Sequence, residues 1–233
     1  MFDYYCRKFG FDSVEINSSF YRLPAAKSMA SLARRSPDGF HFMVKLFHGF
    51  THNRILATGE TFANFRRGIA PLAEAGKLRG LLAQFSSNFL PSKQAVCWLK
   101  RLQEELQPQP LFVEFRHCLW SRPEAFAFLR RQEIGYCIPD LPRLAPLPRF
   151  TPAVTNGIGY VRLHGRNREW YRPTTSRYDY QYSDAELQDI YARTADLVPT
   201  PLEVFFFFNN CHGAAAVRSA KRLLALSLQA ELV

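Results

Sequence analysis

The chain has 233 residues, 30 Lys+Arg against 20 Asp+Glu, a net charge of +10 and a pI near 9.6. Its 47% hydrophobic and 21% charged residues exclude a mainly disordered chain, and a polypeptide of this length buries enough core to need no disulfide or metal staple. No run of 18 apolar residues is present to span a bilayer.

From the N-terminus, Phe2–Phe9 is helical in pattern and carries charges where a signal peptide needs apolar residues. Strand patterns follow at Ser13–Asn17, Phe40–Lys45, Gly80–Phe85, Leu111–Arg116, Ile134–Ile138, Gly159–His164 and Leu202–Asn209. Most are continuous apolar runs that end in polar residues, which suits strands covered on both faces.

Helical patterns separate them. Ala25–Arg35, Thr61–Ala75 and Pro123–Gln132 are the weaker ones. Val96, Leu99, Leu102 and Leu106 recur at helical spacing. Leu187, Ile190, Tyr191 and Thr194 follow the capping box Ser183-Asp184-Ala185-Glu186. Val217, Ala220, Leu224 and Leu228 predict one face of a last helix. The alternation predicts parallel β/α units in a single domain spanning 1–233. Pro139, Pro142, Pro146, Pro148 and Pro152 interrupt the rhythm and predict an extended crossover, because prolines this dense exclude a helix.

Alternate side chains of a strand share a face. Glu15 and Asn17 therefore lie opposite Val14 and Ile16; Glu114 and Arg116 lie opposite Val113 and Phe115. Arg162 and His164 lie opposite Val161 and Leu163. Lys45, Gln84 and Asn209 end their strands in the same manner. Polar groups thus collect at carboxyl ends of strands, where β/α barrels build their active sites. The expected catalytic residues are Glu15 or Glu114 as general acid or base, Lys45 as oxyanion stabiliser and His164 as proton shuttle. Asn17, Gln84, Arg116, Arg162, Arg166, Trp170, Asn209, Asn210 and Gly213 are expected to bind substrate. The competing reading is a structural ion-pair network plugging a barrel.

Three fixed cations (Lys45, Arg116, Arg162) against two carboxylates favour a small phosphorylated or otherwise anionic ligand. Arginines and aromatics interleave from His164 to Tyr182, a pattern that keeps nucleic acid open as an alternative partner. The glycine of Asn209-Asn210-Cys211-His212-Gly213 opens the way to an anion site at the last helix. A scaffold without chemistry is the third alternative. No metal is expected: Glu15, Glu114 and His164 could ligate a divalent ion, but no spacing motif supports them. No nucleotide-binding glycine motif occurs, so the cofactor is undefined. Five cysteines without C-x-x-C spacing suggest no disulfide framework and fit a cytoplasmic location. The oligomeric state is not defined by these patterns.

Several motifs resemble one family. Ser13-Val14-Glu15-Ile16-Asn17-Ser18-Ser19-Phe20-Tyr21-Arg22-Leu23-Pro24 is similar to the hallmark of the YecE-like proteins, domain-of-unknown-function family 72. Phe42-Met43-Val44-Lys45, Val113-Glu114-Phe115-Arg116-His117 with Trp120, Tyr160 to Arg166, and Phe208-Asn209-Asn210 extend the resemblance along nearly the whole chain. It implies a TIM-type β/α barrel and no particular activity. The departures are Ser86-Ser87 in place of a proline pair, Cys118-Leu119 in place of Pro-Ser, Ser219-Ala220 in place of Asn-Ala, and no Gly-Thr-Ser-Gly-Trp-like strand before Phe2. The expectation is therefore a barrel with seven strands legible and the first one missing. Its gap would lie between Ser13–Asn17 and Leu202–Asn209, and the apolar run Phe205–Phe208 would make that edge prone to association.

Overall fold

The computed structural model describes residues 2–172, 177–195, 197 and 199–230. The fold is α/β, with the repeated strand–helix connectivity of a TIM-type β/α barrel and seven strands. The strands are β1 (Ser13–Ile16), β2 (His41–Lys45), β3 (Leu78–Gln84), β4 (Leu111–Glu114), β5 (Gly135–Asp140), β6 (Ile158–Leu163) and β7 (Glu203–Phe208). The helices are α1 (Phe2–Phe9), α2 (Ala26–Arg35), α3 (His48–Thr51), α4 (Gly59–Glu74), α5 (Lys93–Leu106), α6 (Pro123–Arg131), α7 (Asp184–Ala195) and α8 (Ala215–Ala230).

The chain divides into two compact units. Met1–Glu114 with Gln132–Ile134 forms the first, and Phe115–Arg131 with Gly135–Val233 forms the second. In the first, β1 pairs with β2, β2 with β3 and β3 with β4, all parallel. In the second, β5 pairs with β6 and β6 with β7, again parallel.

Local chemistry sets the helix starts. Thr58 and Ser92 cap α4 and α5 by accepting from the amides of Thr61 and Ala95, each at 3.1 Å. At α7 the Ser183 amide donates to the Glu186 carboxylate at 2.9 Å, and the Glu186 amide returns a bond to the Ser183 hydroxyl at 3.3 Å. That is the reciprocal cap expected of Ser-x-x-Glu.

Two readings of the sequence need correction. The stripe Val217–Ala220–Leu224–Leu228 is not the inner face of α8: Leu224 and Leu228 are 45% and 55% exposed, while Ala215, Ser219, Leu223 and Leu226 are buried. Strand β5 continues through Pro139 to Asp140, beyond the expected end at Ile138. The proline-rich crossover after β5 holds no helix or strand up to Ile158, as expected, and it packs Leu141 and Leu147 against Trp170 as a small apolar cluster with Leu144 beside it.

The core of the first unit is aromatic. Phe50 and Phe62 stack with centroids 4.2 Å apart, and Phe65 meets Phe50 edge-on at 5.5 Å. Helix α4 meets the segment just ahead of α2 so closely that a Cβ on Gly68 would lie 2.1 Å from the Pro24 carbonyl oxygen and 2.8 Å from Pro24 Cγ. Backbone cannot yield as a side-chain tip can. Gly68→Ala is therefore expected to cost about 1–3 kcal/mol as an overpacking change, read from the urea midpoint of unfolding.

Candidate functional site

In the first unit, the polar strand ends form a row across β1–β4. The Asn17 amide donates to Glu15 at 2.8 Å. The Lys45 ammonium donates to Gln84 Oε1 at 2.9 Å and lies 4.3 Å over the Phe20 ring. Gln84 and Glu114 are register partners in the β3–β4 pair. Glu114 is completely buried, whereas Glu15, Asn17, Lys45 and Gln84 are half-buried. The Lys45–Gln84 hydrogen bond and the Gln84–Glu114 register therefore bring these three residues into one neighbourhood.

The second unit gathers the rest around a carboxylate that strand pattern alone did not single out. Asp140, at the end of β5, is 1% exposed. Arg166 grips it through Nε at 3.0 Å and Nη2 at 2.9 Å, and the Tyr182 hydroxyl donates to it at 2.6 Å. Tyr182 in turn accepts the Gly165 amide at 2.9 Å. Gly165 sits at φ +90°, and a Cβ there would lie 2.5 Å from Tyr180 Cβ, so only glycine fits. Arg166 also reaches Glu186 at 3.2 Å, and the Tyr180 hydroxyl donates to the same carboxylate at 2.5 Å. Arg166, expected to hold substrate, is thus held between two protein carboxylates.

Arg116, just past β4, directs Nη2 to within 3.2 Å of His164 Nε2. A guanidinium only donates, so the ring nitrogen meeting it presents its lone pair. His164 is 1% exposed and its amide bonds the Asp140 carbonyl at 3.0 Å. Trp170, 2% exposed, lies 5.8 Å from the Arg116 guanidinium and 6.4 Å from the imidazole; Tyr178 lies 5.5 Å from Trp170 and 6.3 Å from His164. Arg177 stacks on Trp170 at 5.6 Å. Arginine and aromatic alternation in this loop therefore produces layered rings and guanidiniums.

At the end of β6, Arg162 is 2% exposed. Beyond β7, the Asn209 amide bonds the Leu163 carbonyl at 2.7 Å, and Asn210 is fully buried with its Nδ2 donating to the Tyr180 carbonyl at 2.9 Å. Gly213 has φ +54°, and its carbonyl accepts from Arg218 Nη1 at 2.6 Å. This short turn precedes α8, which begins at Ala215.

Among the described residues, no group of three or more His, Cys, Asp or Glu is placed to hold a metal ion, and no helix is long and apolar enough to cross a membrane. All five cysteines are free thiols.

The motifs now have positions, and the comparisons agree with them. Residues 1–232 match the family described as "Protein of unknown function DUF72". The chain belongs to the DUF72 family. It is 28% identical to the UPF0759 protein YunF of Bacillus subtilis over 93% of this chain and 83% of that protein. A solved DUF72 protein from Thermotoga maritima superposes with a TM-score of 0.86 at 34% identity, covering 97% of this chain and 88% of the other. A DUF72 protein from Enterococcus faecalis also gives a TM-score of 0.86, at 25% identity, over 98% of this chain and 93% of its own.

The Asp140 network sets the behaviour of this DUF72 protein at both ends of the pH scale. Burial and the Glu186 hydrogen bond push the Tyr180 phenol up to about 12, and burial beside Asp140 pushes Tyr182 well above its ordinary 10.0. A raised folded-state value stabilises the fold below the unfolded value, and that contribution is lost as pH rises through the folded value. Stability is expected to decline between about pH 10 and 12, and less steeply in Tyr180→Phe, as followed by thermal melts. Burial raises Glu186, but hydrogen bonds from Tyr180 and Ser183 and the charge of Arg166 outweigh it and hold the carboxyl below its ordinary 4.5. That contribution is present above the unfolded value and disappears as pH falls through the lower folded one.

Replacing Asp140 by Asn removes the buried negative charge that Arg166 grips through two nitrogens and leaves one acceptor oxygen for Arg166 and Tyr182 to share, with Glu186 still beside Arg166. The expected cost is about 3 kcal/mol, the lower end for a buried pair because Arg166 keeps a quarter of its side chain exposed. Urea unfolding of Asp140→Asn measures it.

Proposed function

We propose that this protein is an enzyme that uses acid–base chemistry on a small phosphorylated or carboxylate-bearing substrate held at the Arg116–His164 pair. The observation that carries the reading is a nearly buried imidazole facing a guanidinium, walled by Trp170 and Tyr178. Such a position suits proton transfer, because the surroundings exclude most water while the ring can exchange a proton with a reacting group. A guanidinium carries five N–H donors in a planar fork, so Arg116 can hold the imidazole and an anionic oxygen at once. Substrate charge would replace water around Arg116, and the imidazole would then accept or return a proton on the adjoining atom. The aromatic wall favours a ligand with an apolar or ring-shaped body.

In the first unit, Glu114 is an acid–base candidate of its own, because its carboxyl is fully buried at a strand end. Fold likeness cannot choose the reaction, so the substrate class rests on these side chains.

A thermal-shift screen of phosphorylated and carboxylate metabolites, followed by turnover assays on the hits, tests the reading. Arg116→Ala is expected to abolish the shift produced by a true ligand. His164→Asn is expected to keep the shift and lower turnover by about 100-fold or more, the usual worth of a proton-transfer group. Hits whose shifts survive Arg116→Ala, with turnover indifferent to His164→Asn, would overturn the assignment.

A further inference from the structure

The first unit carries a second basic feature. An open cleft of about 440 Å³ is lined by Lys93, Gln94, Cys97, Trp98 and Arg101 of α5 and by Arg54. Positions 93, 94, 97, 98 and 101 share one helical face, so α5 presents two arginine-or-lysine positions on either side of one indole. Trp98 is anchored there, since its indole N–H donates to the Phe50 carbonyl at 2.9 Å. Arg54 and Arg101 lie 5.7 and 5.3 Å from its ring centroid. Arg54 also lies 5.6 Å over Phe89, and Arg101 lies 5.6 Å over Phe62.

A guanidinium laid against a ring keeps N–H groups at its edge for an anion. The rings hold the two cations in place before any ligand arrives, so less side-chain freedom is lost on binding. At the far end of the cleft Glu105 meets Arg66 at 3.2 Å and Arg101 at 3.9 Å, and Arg101 Nη2 donates to the Ala57 carbonyl at 3.3 Å. Ile55 and Leu56, which follow Arg54 in the chain, are 90% and 40% exposed, and Leu90, which follows Phe89, is 45% exposed.

We propose that this cleft binds single-stranded nucleic acid without sequence preference, with backbone phosphates on Arg54, Lys93 and Arg101 and bases against Ile55, Leu56 and Leu90. The ligand must join a row of anionic groups to flat apolar faces. A single strand does so, whereas a duplex hides its base faces by stacking. An acidic peptide matches the cations but supplies no repeated flat group for the apolar rim. The net charge of +10 draws a polyanion toward this surface over a longer range. Phosphate contacts give affinity, and apolar contact with bases is indifferent to which base is present.

Fluorescence anisotropy with a labelled oligothymidylate of about 12 nucleotides, within the usual site sizes for such proteins, tests the proposal. With three phosphates engaged, log K is expected to fall against log salt with a slope of about −2. The triple variant Arg54→Ala/Lys93→Ala/Arg101→Ala is expected to remove most of that slope and weaken binding at least about tenfold at low salt. Lys27→Ala, an exposed cation on α2, is expected to change neither quantity. Trp120 and Trp170 are each 2% exposed, so quenching of tryptophan emission on binding should report Trp98 and vanish in Trp98→Phe.

Should the triple variant fail to fold by circular dichroism, Arg54→Glu alone supplies the same reading, because its exposed side chain contributes only ring contacts to the cleft. Undiminished binding by the variants would overturn the proposal. So would equal affinity for a duplex of the same length, or equally effective displacement by inorganic triphosphate or polyglutamate at matched charge.

Discussion

A carboxylate removed from water must be neutralised or hydrogen-bonded, and Asp140 imposes that condition on the second unit. Its answer comes from two residues of one long connection, Arg166 and Tyr182, which sit on either side of the segment that carries Trp170 and Tyr178. The connection between β6 and α7 holds no strand or helix among its described residues, so it cannot draw on a backbone ladder for its shape. Polar bonds to Asp140 and Glu186 take that place. The Trp170 ring is then fixed from below by Leu141 and Leu147, and the proline-rich crossover becomes the floor of the aromatic wall.

The same condition divides the cations by role. Arg166 is drawn into the framework by two carboxylates, which is why its guanidinium is held more firmly protonated than usual despite partial burial. Arg116 instead meets the His164 imidazole, its Nη2 3.2 Å from Nε2. Two arginines of similar appearance in the sequence therefore have different kinds of partner. In the first unit Lys45 donates to the side-chain oxygen of Gln84, and Arg66 meets Glu105 on the outer helices.

Membership of the DUF72 family covers residues 1–232 but assigns the strand ends no chemistry. The solved relatives show how far the β/α framework tolerates sequence change: TM-scores of 0.86 accompany identities of 34% and 25%. Packing of apolar strands and helices is satisfied by many sequences of suitable size and pattern. The roles of individual side chains have to be argued from their own partners.

Much of the fold was readable from local signals. All seven strands fall within a few residues of their expected positions, because buried parallel strands are short apolar runs with polar ends. The Ser183–Glu186 cap was readable for the same reason, since its four residues carry both partners. The inner face of α8 was not. Leu223, Leu224, Leu226 and Leu228 crowd the helix on several sides, so more than one stripe satisfies the helical period, and only packing selected Leu223 and Leu226. Nor could the sequence distinguish Arg166 from Arg116 or single out Asp140, whose partners lie 26 and 42 residues away. Periodicity and caps are properties of neighbours along the chain. The pairing of a buried charge depends on which distant side chains the fold brings within hydrogen-bond reach, and that was decided by tertiary structure alone.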